Sequence, residues 1–417
     1  MSAGLLDRET IERALNISGA APLIIALSGG GDSTALLHAL ADRLGAARLH
    51  ATIVDHGLRE GSRGDAEQAL AIARGLNVSA EIVCADWRGE PKRAQGAARE
   101  ARYRALCNTA RARDARVIAV AHTLDDQAET VLLRAAAGST WRGLAGMAPL
   151  ARAPLWPEGR DLWLARPLLD KSRAELRAML SARGASWIED PANENANFAR
   201  VRARRRLAAL GEAGFDAAKL AGLAGALRPH VERLDAEAAA LIGSAVRFEL
   251  DKAQIVRARW DGGVQARRRA LSALLAAIAG AAREPDAAAV AVLAARLGDD
   301  FSGATLGGVQ LRPVRGGVRL SRDLGALEGR ADGALPLAAL PLPAGAEIVW
   351  DGRLAVSARA PGWRIEAEEG RPIFVGDGAR LAWADAVGCS VVTGEWLIEA
   401  HVRHILPVHS TVTAPEP

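Results

Sequence analysis

Short apolar runs alternate with amphipathic helical patterns along residues 1–135, and this alternation limits the possible folds more than any other feature. Leu23–Leu27 and Val117–Ala121 are apolar runs typical of buried strands, as are Leu49–Val54 and Val78–Val83. Strands that alternate with helices at this spacing predict an α/β fold with a parallel, Rossmann-like sheet and right-handed crossovers. Ligands of such sheets bind in the crevice beyond the carboxyl ends of the strands.

The remainder of the chain has a looser pattern. Gly214 to about Leu297 is alanine-rich and helical in character, whereas Thr305–Leu320 has the glycine pairs of β-hairpin turns. Gly325–Ala346 is typical of a linker, and Asp351-Gly352 predicts a further hairpin turn. We therefore expect three domains, which are an α/β domain at 1–213, a mainly helical domain ending in β-hairpins at 214–324, and a small α+β domain at 347–417.

Composition excludes several classes of protein. Of the 417 residues, 50% are apolar, which excludes a disordered chain. The longest strongly apolar stretch, Ala270–Ala282, falls short of the roughly 20 residues that cross a membrane and predicts a buried helix. The N-terminus lacks a signal pattern, so we expect a cytoplasmic protein. Cys84, Cys107 and Cys389 form no CxxC pair, which argues against a disulfide framework, a zinc finger or an iron–sulfur cluster.

The strongest chemical signal is the run SGGGDS, where the first predicted strand gives way to its helix. Successive glycines permit a tight turn that directs backbone N–H groups toward an anion, and the helix N-terminus adds its dipole. Ser33 can cap that helix and donate a hydroxyl. No lysine follows, unlike in γ-phosphate-transferring NTPases. The loop resembles the pyrophosphate loop (PP-loop) of N-type ATP pyrophosphatases, and this resemblance implies ATP binding by Ser28, Gly29, Gly30, Gly31, Asp32 and Ser33.

Two further strand ends carry polar residues. Asp55 and His56 follow the second strand, where we expect them near the adenosine of the nucleotide. His122 follows the fourth strand and precedes a predicted helix, on which Asp126 and Glu129 share one face because they are three residues apart. Two carboxylates beside a nucleotide can hold Mg²⁺ or a substrate ammonium, although acidic residues at this position also cap helices.

The motifs together resemble the tRNA(Ile)-lysidine synthase family. VDHGLR, AREARYRAL, LDDQAET through GLAGM, and RPLL through IEDPAN follow SGGGDS in the order and spacing of that family. The resemblance is strong over residues 23–206 and general in layout beyond them. One position departs from the family pattern, because Val201 stands where the FxRN segment has asparagine, whereas Arg200 and Arg202 match.

The resemblance implies an ATP- and Mg²⁺-dependent ligase that joins L-lysine to C2 of the wobble cytidine of the isoleucine tRNA with a CAU anticodon. The reaction passes through an O2-adenylated base, releases AMP and pyrophosphate, and changes decoding from AUG to AUA. Asp126 and Glu129 would hold the lysine, and Asp32 would bind the metal of Mg²⁺–ATP. Candidates for contact with phosphate or the activated base are Arg102, His122 and Arg202.

Two runs of arginine suit the phosphate backbone of the tRNA, although such runs are usually solvated faces. A pI near 9.3 is consistent with a polyanionic partner. The candidate tRNA-binding residues are Arg200, Arg204, Arg205, Arg206, Arg267 and Arg268.

Two other functions stay open. A PP-loop tRNA 2-thiolase also adenylates cytidine, but it generally relies on paired cysteines. A non-catalytic RNA-binding protein with a nucleotide fold would gain nothing from carboxylates at Asp32, Asp126 and Glu129. A homodimer also stays open, because the sequence does not determine the oligomeric state.

Overall fold

The computed structural model describes residues 4–57, 61–85, 87, 95–189, 199–298, 300–329, 336–376 and 378–407, with the backbone alone at 95 and 199–201. The chain divides into two compact units, Met1–Val231 and Glu232–Pro417. The predicted domain limits 1–213, 214–324 and 347–417 differ from this division and stay predictions.

The first unit contains a six-stranded sheet among its described residues. Its strands are β1 (Leu23–Ala26), β2 (Leu49–Asp55), β3 (Ser79–Cys84), β4 (Val117–Ala119), β5 (Leu150–Arg152) and β6 (Trp163–Ala165). Its helices are α1 (Arg8–Ser18), α2 (Gly31–Leu44), α3 (Ser62–Gly75), α4 (Gln95–Ala112), α5 (Leu124–Ala136), α6 (Trp141–Leu144), α7 (Arg173–Ala182), α8 (Ala199–Glu212) and α9 (Ala217–Ala245), within which the unit boundary falls. The strand order is β3-β2-β1-β4-β6-β5, and only the edge pair β5–β6 is antiparallel. The predicted parallel α/β architecture is confirmed.

Strand β1 lies at the centre of this sheet and has apolar side chains on both faces. Leu23 and Ile25 pack into one core and Ile24 into another, and all three are fully buried. A strand buried on both faces has a continuous apolar sequence, which is why the run at β1 does not alternate. The chain leaves β1 toward β2 on one side and returns to β4 on the other, so the strand order reverses between β1 and β4. Such a reversal opens a ligand crevice at the carboxyl ends of these strands.

The second unit combines helices with antiparallel sheets. Its helices after α9 are α10 (Val264–Ala279), α11 (Ala287–Arg296), α12 (Leu324–Glu328), α13 (Trp383–Gly388) and α14 (Ile398–Ile405). Its strands are β7 (Val246–Glu249), β8 (Lys252–Val256), β9 (Ala304–Leu306), β10 (Val309–Val314), β11 (Gly317–Arg322), β12 (Leu340–Leu342), β13 (Ile348–Trp350), β14 (Leu354–Ala358), β15 (Trp363–Glu368), β16 (Arg371–Gly376), β17 (Ala379–Ala382) and β18 (Val392–Trp396). Helix α10 is buried along most of its length, as its apolar sequence predicts.

The local predictions for the second unit are partly confirmed. Gly307-Gly308 turns β9 into β10, and Asp351-Gly352 lies between β13 and β14. The helical prediction for Gly214–Leu297 is wrong at the β7–β8 hairpin, because Ala253 and Ile255 alternate with less buried neighbours and pack their shared face into the core. The predicted linker Gly325–Ala346 is also wrong in part, since it includes most of α12 and all of β12. None of the helices among the described residues has both the length and the apolar character needed to cross a membrane.

Candidate active site

A cavity of about 890 Å³ opens where the sheet order reverses. This volume suits a nucleotide together with a second small substrate. Its lining includes many of the residues singled out from the sequence, which are Ser28, Gly30, Gly31, Asp32, Ser33, His56, Arg102, His122, Asp126 and Arg204. It also includes Arg99, Tyr103, Arg173, Arg177 and Glu189, to which the sequence analysis assigned no role in the site.

Hydrogen bonds between side-chain hydroxyl groups and the backbone hold the glycine loop in its conformation. The Ser28 N–H donates to Ser33 Oγ over 3.2 Å, and Ser33 Oγ donates to the Gly30 carbonyl over 3.0 Å. Thr34 Oγ1 donates to the Gly29 carbonyl. The N-cap of α2 is Gly30, which makes no side-chain cap, so the prediction that Ser33 caps this helix is wrong. Ser33 lies in the first turn, where its hydroxyl holds the loop closed while the α2 N-terminus borders the cavity.

Gly29 needs the backbone freedom that only glycine has. Its φ is +81°, and a Cβ there would overlap Ile188 Cδ1 and lie 3.1 Å from Ala69 Cβ. Its carbonyl accepts the Ile188 N–H over 2.9 Å, which ties the loop to a segment far away in sequence. Gly29 does not line the cavity, and its role is therefore to shape the loop that does.

Gly29→Ala is expected to weaken binding of a non-hydrolysable ATP analogue by about tenfold, because a left-handed backbone costs a non-glycine residue roughly 1–2 kcal/mol and the loop must shift. Isothermal titration calorimetry measures this change. Gly64→Ala in α3 is the matched control, since its Cβ would meet open space and alanine favours a helix. Equal ATP affinity in the two variants would contradict this account of the loop.

Asp126 and Glu129 both lie buried on α5, at 6% and 1% exposure. Thr123 is the N-cap, and Asp126 Oδ2 accepts hydrogen bonds from its N–H and hydroxyl over 2.9 and 3.0 Å in a capping box. Asp126 therefore takes part in capping α5 through Oδ2. Its other carboxylate oxygen, Oδ1, contacts a different group. Glu129 does not line the cavity, and its Oε2 atom is buried and accepts no hydrogen bond from the described residues.

Arg173, the first residue of α7, joins the acidic groups of this site. It lies 2.6 Å from Asp126 Oδ1, 2.9 Å from Glu129 Oε1 and 3.4 Å from Asp32 Oδ2. Burial lowers the pKa of Arg173, but Asp126 and Glu129 outweigh burial and raise it overall. Burial also raises the pKa of Asp32, and Arg173 opposes that rise. The Arg173 guanidinium thus offsets part of the negative charge of three carboxylates.

Arg204 on α8 is a second cation of the same cluster. Its Nε donates to Glu129 Oε1 over 2.7 Å, and it lines the cavity. The helix turns Arg204 toward the cavity, whereas Arg205 and Arg206 are exposed, and contact of all three with tRNA stays a prediction. Arg202 is also exposed and does not line the cavity. The side chain of Arg200 lies outside the described residues.

The remaining candidates divide between the cavity and its surroundings. His56 lines the cavity, whereas Asp55 does not and accepts hydrogen bonds from Ser62 Oγ at 2.8 Å and the Gly57 N–H at 3.1 Å. Burial raises the pKa of Asp55, but these two bonds, together with the nearby His56 and Arg63, outweigh it and lower the pKa overall. Arg102 is exposed at the cavity. In the second unit, Arg267 and Arg268 are partly exposed on α10.

Arg173 was missed because its sequence context predicts only the start of a helix. Ser172 caps α7 and Glu175 completes its capping box, so the local pattern explains itself without a function. A usable signal exists nevertheless, because β6 is the parallel neighbour of β4 and α7 is the next helix after it. The carboxyl end of β6 therefore borders the ligand crevice just as the ends of β1, β2 and β4 do.

The residues present suit a magnesium ion that is held mainly by a nucleotide. Among the described residues no group of three or more His, Cys, Asp or Glu side chains could hold a metal alone. Mg²⁺ commonly binds through one or two carboxylates together with substrate phosphates and water. Asp32, partly exposed in the first turn of α2, offers one such carboxylate beside the glycine loop.

Comparisons with known proteins agree with this geometry. A family model described as a PP-loop domain matches residues 6–210. The chain is 38% identical over 312 residues to tRNA(Ile)-lysidine synthase of Hyphomonas neptunium, covering 73% of this chain and 83% of that protein. It is 36% identical over 370 residues to the tRNA(Ile)-lysidine synthase of Caulobacter vibrioides, covering 87% and 81% respectively. A solved U34-tRNA thiolase from Methanococcus maripaludis aligns with TM-score 0.43 and 16% identity, over 54% of this chain and 79% of that one, which is too distant for a functional argument.

Proposed function

This chain belongs to the tRNA(Ile)-lysidine synthase family, and from that premise we propose that it joins free L-lysine to C2 of the wobble cytidine of an isoleucine tRNA. Enzymes of this family are ligases that form a carbon–nitrogen bond on tRNA. The specific proposals below concern the lysine site, the metal and the role of each side chain.

The chemistry requires activation of the base. C2 of cytosine is a poor electrophile because O2 is a bad leaving group. Attack of O2 on the α-phosphorus of ATP forms an O–P bond and expels pyrophosphate. The lysine ε-amine then bonds to C2, the C2–O2 bond breaks, and AMP departs with the oxygen. Amides of the glycine loop and the α2 N-terminus would stabilise the phosphate charge, and Mg²⁺ held by Asp32 would add charge neutralisation when bound.

The single observation that carries the lysine site is the unpartnered Oε2 atom of Glu129. A buried carboxylate oxygen without a donor is costly unless a ligand supplies one. The three carboxylates around Arg173 and the two guanidiniums that contact them retain one net negative charge. An ammonium would balance that charge and donate to the vacant oxygen. We therefore propose that Asp126 and Glu129 bind the lysine ε-ammonium and accept its proton before attack.

The chain's cysteines do not favour the thiolase alternative. Burial raises the pKa of the Cys107 thiol to about 12, so it is protonated at neutral pH. Cys84 and Cys389 are exposed and belong to different units. Sulfur insertion by paired cysteines is therefore a poor match to the described residues.

The deciding experiment is mass analysis of the wobble nucleoside after incubation of the full chain with ATP, L-lysine and an unmodified transcript. Lysidine formation that requires both small substrates is the expected result. A sulfur-containing nucleoside would favour the thiolase instead. An unchanged nucleoside, with no tRNA-dependent exchange of pyrophosphate into ATP, would indicate a non-catalytic RNA-binding protein and overturn the proposal.

Exposed arginines of α8 are proposed to contact tRNA phosphates. The double variant Arg205→Ala/Arg206→Ala should bind the transcript more weakly, and the slope of log affinity against log salt should become shallower by about one for each lost phosphate contact. Filter binding over a range of salt measures both quantities. Arg8→Ala, which removes an exposed arginine of α1, is the control. A salt slope equal to that of the parent chain would remove both arginines from the interface.

A further inference from the structure

His122 and Arg166 meet at the carboxyl edge of two neighbouring strands. Strands β4 and β6 pair in parallel with Ala119 opposite Ala165, so the residues that follow them emerge side by side. Arg166 Nε lies 3.2 Å from His122 Nδ1 in a hydrogen bond, and His122 lines the cavity. Arg166 does not line it, so it acts from behind the histidine.

Arg166 is held firmly in this position. It is only 7% exposed, its Nη1 donates to the Ala148 carbonyl over 2.8 Å, and its backbone N–H donates to the Pro149 carbonyl over 2.7 Å. Burial lowers the pKa of Arg166 to about 10, which still leaves it charged at neutral pH. A guanidinium has five donors and no acceptor. His122 Nδ1 must therefore be the acceptor and carry no proton.

This hydrogen bond sets the chemical form of the imidazole. A neutral ring without a proton on Nδ1 carries it on Nε2. A second proton would place an N–H of His122 against the N–H of a cation. Arg99, Arg134 and Arg228, which lie on α4, α5 and α9, lower the pKa of Arg166 and oppose further positive charge there, whereas Tyr103 on α4 acts in the opposite sense.

We propose that Arg166 is a positioning residue that holds His122 as the neutral Nε2–H tautomer. His122 then donates a hydrogen bond to an oxygen of the phosphate or of the adenylated base, and it serves neither as a general base nor as a cation. This inference rests on the proposed function and extends it, since the proton released by the lysine ammonium then goes to the carboxylates of α5.

Two amide substitutions of His122 test which of its ring nitrogens donates the hydrogen bond. A glutamine amide nitrogen can occupy the position of Nε2, whereas an asparagine amide reaches only that of Nδ1. His122→Gln should therefore retain lysidine formation within about tenfold of the parent, and His122→Asn should lose about 100-fold or more, the usual cost of a catalytic hydrogen-bond donor. Thermal melting checks that both variants fold. Equal losses, or a better Asn variant, would overturn the assignment.

Nitrogen-15 NMR of the histidine side chains reads the tautomer without relying on activity. Loss of a signal in His122→Gln assigns the His122 resonance. The parent chain should show an unprotonated Nδ1 and a protonated Nε2 at neutral pH, and Arg166→Met should lose this signature while Arg166→Lys partly restores it. Arg134→Met is the matched control, because the partly buried Arg134 donates to the Gly143 and Gly146 carbonyls without contact to His122.

The two readouts separate the failure of this inference from that of the proposed function. A parent chain that makes no lysidine but shows the expected tautomer would contradict only the function. A parent chain that makes lysidine while His122 is protonated on Nδ1, or an unchanged signature in Arg166→Met, would overturn the role of Arg166.

Discussion

Asp126→Asn should abolish lysidine formation, by about 100-fold or more, while ATP binding survives. Asparagine keeps an oxygen that can accept from Thr123, so the N-terminus of α5 stays capped. It removes the negative charge that faces Arg173 and, in our proposal, the lysine ammonium. Hydrogen bonds to charged groups in buried sites are worth roughly 2–5 kcal/mol when one partner is lost, which corresponds to a loss of this size.

The measurements are lysidine yield by nucleoside mass analysis and ATP affinity by calorimetry. Asp170→Asn is the matched control, because Asp170 is an exposed carboxylate that pairs with its neighbour Lys171 over 2.8 Å. Asp126→Asn with parental lysidine yield would remove this carboxylate from the site. A parallel loss of ATP affinity would instead indicate that the substitution disturbs the glycine loop.

Arg173→Met should destabilise the chain by about 3–5 kcal/mol, which is the usual cost of removing one partner from a buried ion pair. The change leaves Asp126, Glu129 and Asp32 without the guanidinium that they share. Chemical denaturation of the parent chain and of Arg173→Met measures the difference in the free energy of unfolding. Arg63→Met is the control, since the Arg63–Glu67 pair is about 60% exposed on α3 and such pairs contribute little.

The stability of Arg173→Met should also depend on pH, with a sign that follows from the pKa of Asp32. Burial raises the pKa of Asp32 and Arg173 opposes the rise, so loss of Arg173 should raise this pKa further. A carboxyl group with a raised pKa in the folded state destabilises the fold as pH rises and is relieved as pH falls. The stability deficit of Arg173→Met should therefore shrink from about pH 8 to about pH 5. A deficit that grows over this interval would contradict the proposed role of Arg173.

Strands and turns were predictable where one local pattern dominates. The apolar run at β1 and the glycine pair between β9 and β10 specify their structures with few neighbours, because burial on both faces and positive φ angles leave few alternatives. The β7–β8 hairpin was not predictable in the same way. Its short strands lie within an alanine-rich region, and their pairing with each other and with β11 decides their conformation.

The residues of the site can be divided in the same way, into those that a local pattern identifies and those that only the folded chain brings together. The glycine loop and the α5 carboxylates could be identified because strand ends, helix starts and a three-residue spacing are local properties of the sequence. The prediction for Ser33 went wrong only in detail, since its hydroxyl bonds to Gly30 and Ser28 in place of capping.

By itself, the sequence determined the parallel α/β fold, the phosphate-binding turn and the acidic pair, because hydrophobic periodicity and backbone geometry act between residues close along the chain. Only the tertiary structure decided that Arg173 and Arg204 belong with those carboxylates and that Arg166 lies behind His122. These partners are separated by 44 residues or more, and no local pattern encodes which of many arginines a folded chain brings to a given carboxylate or imidazole.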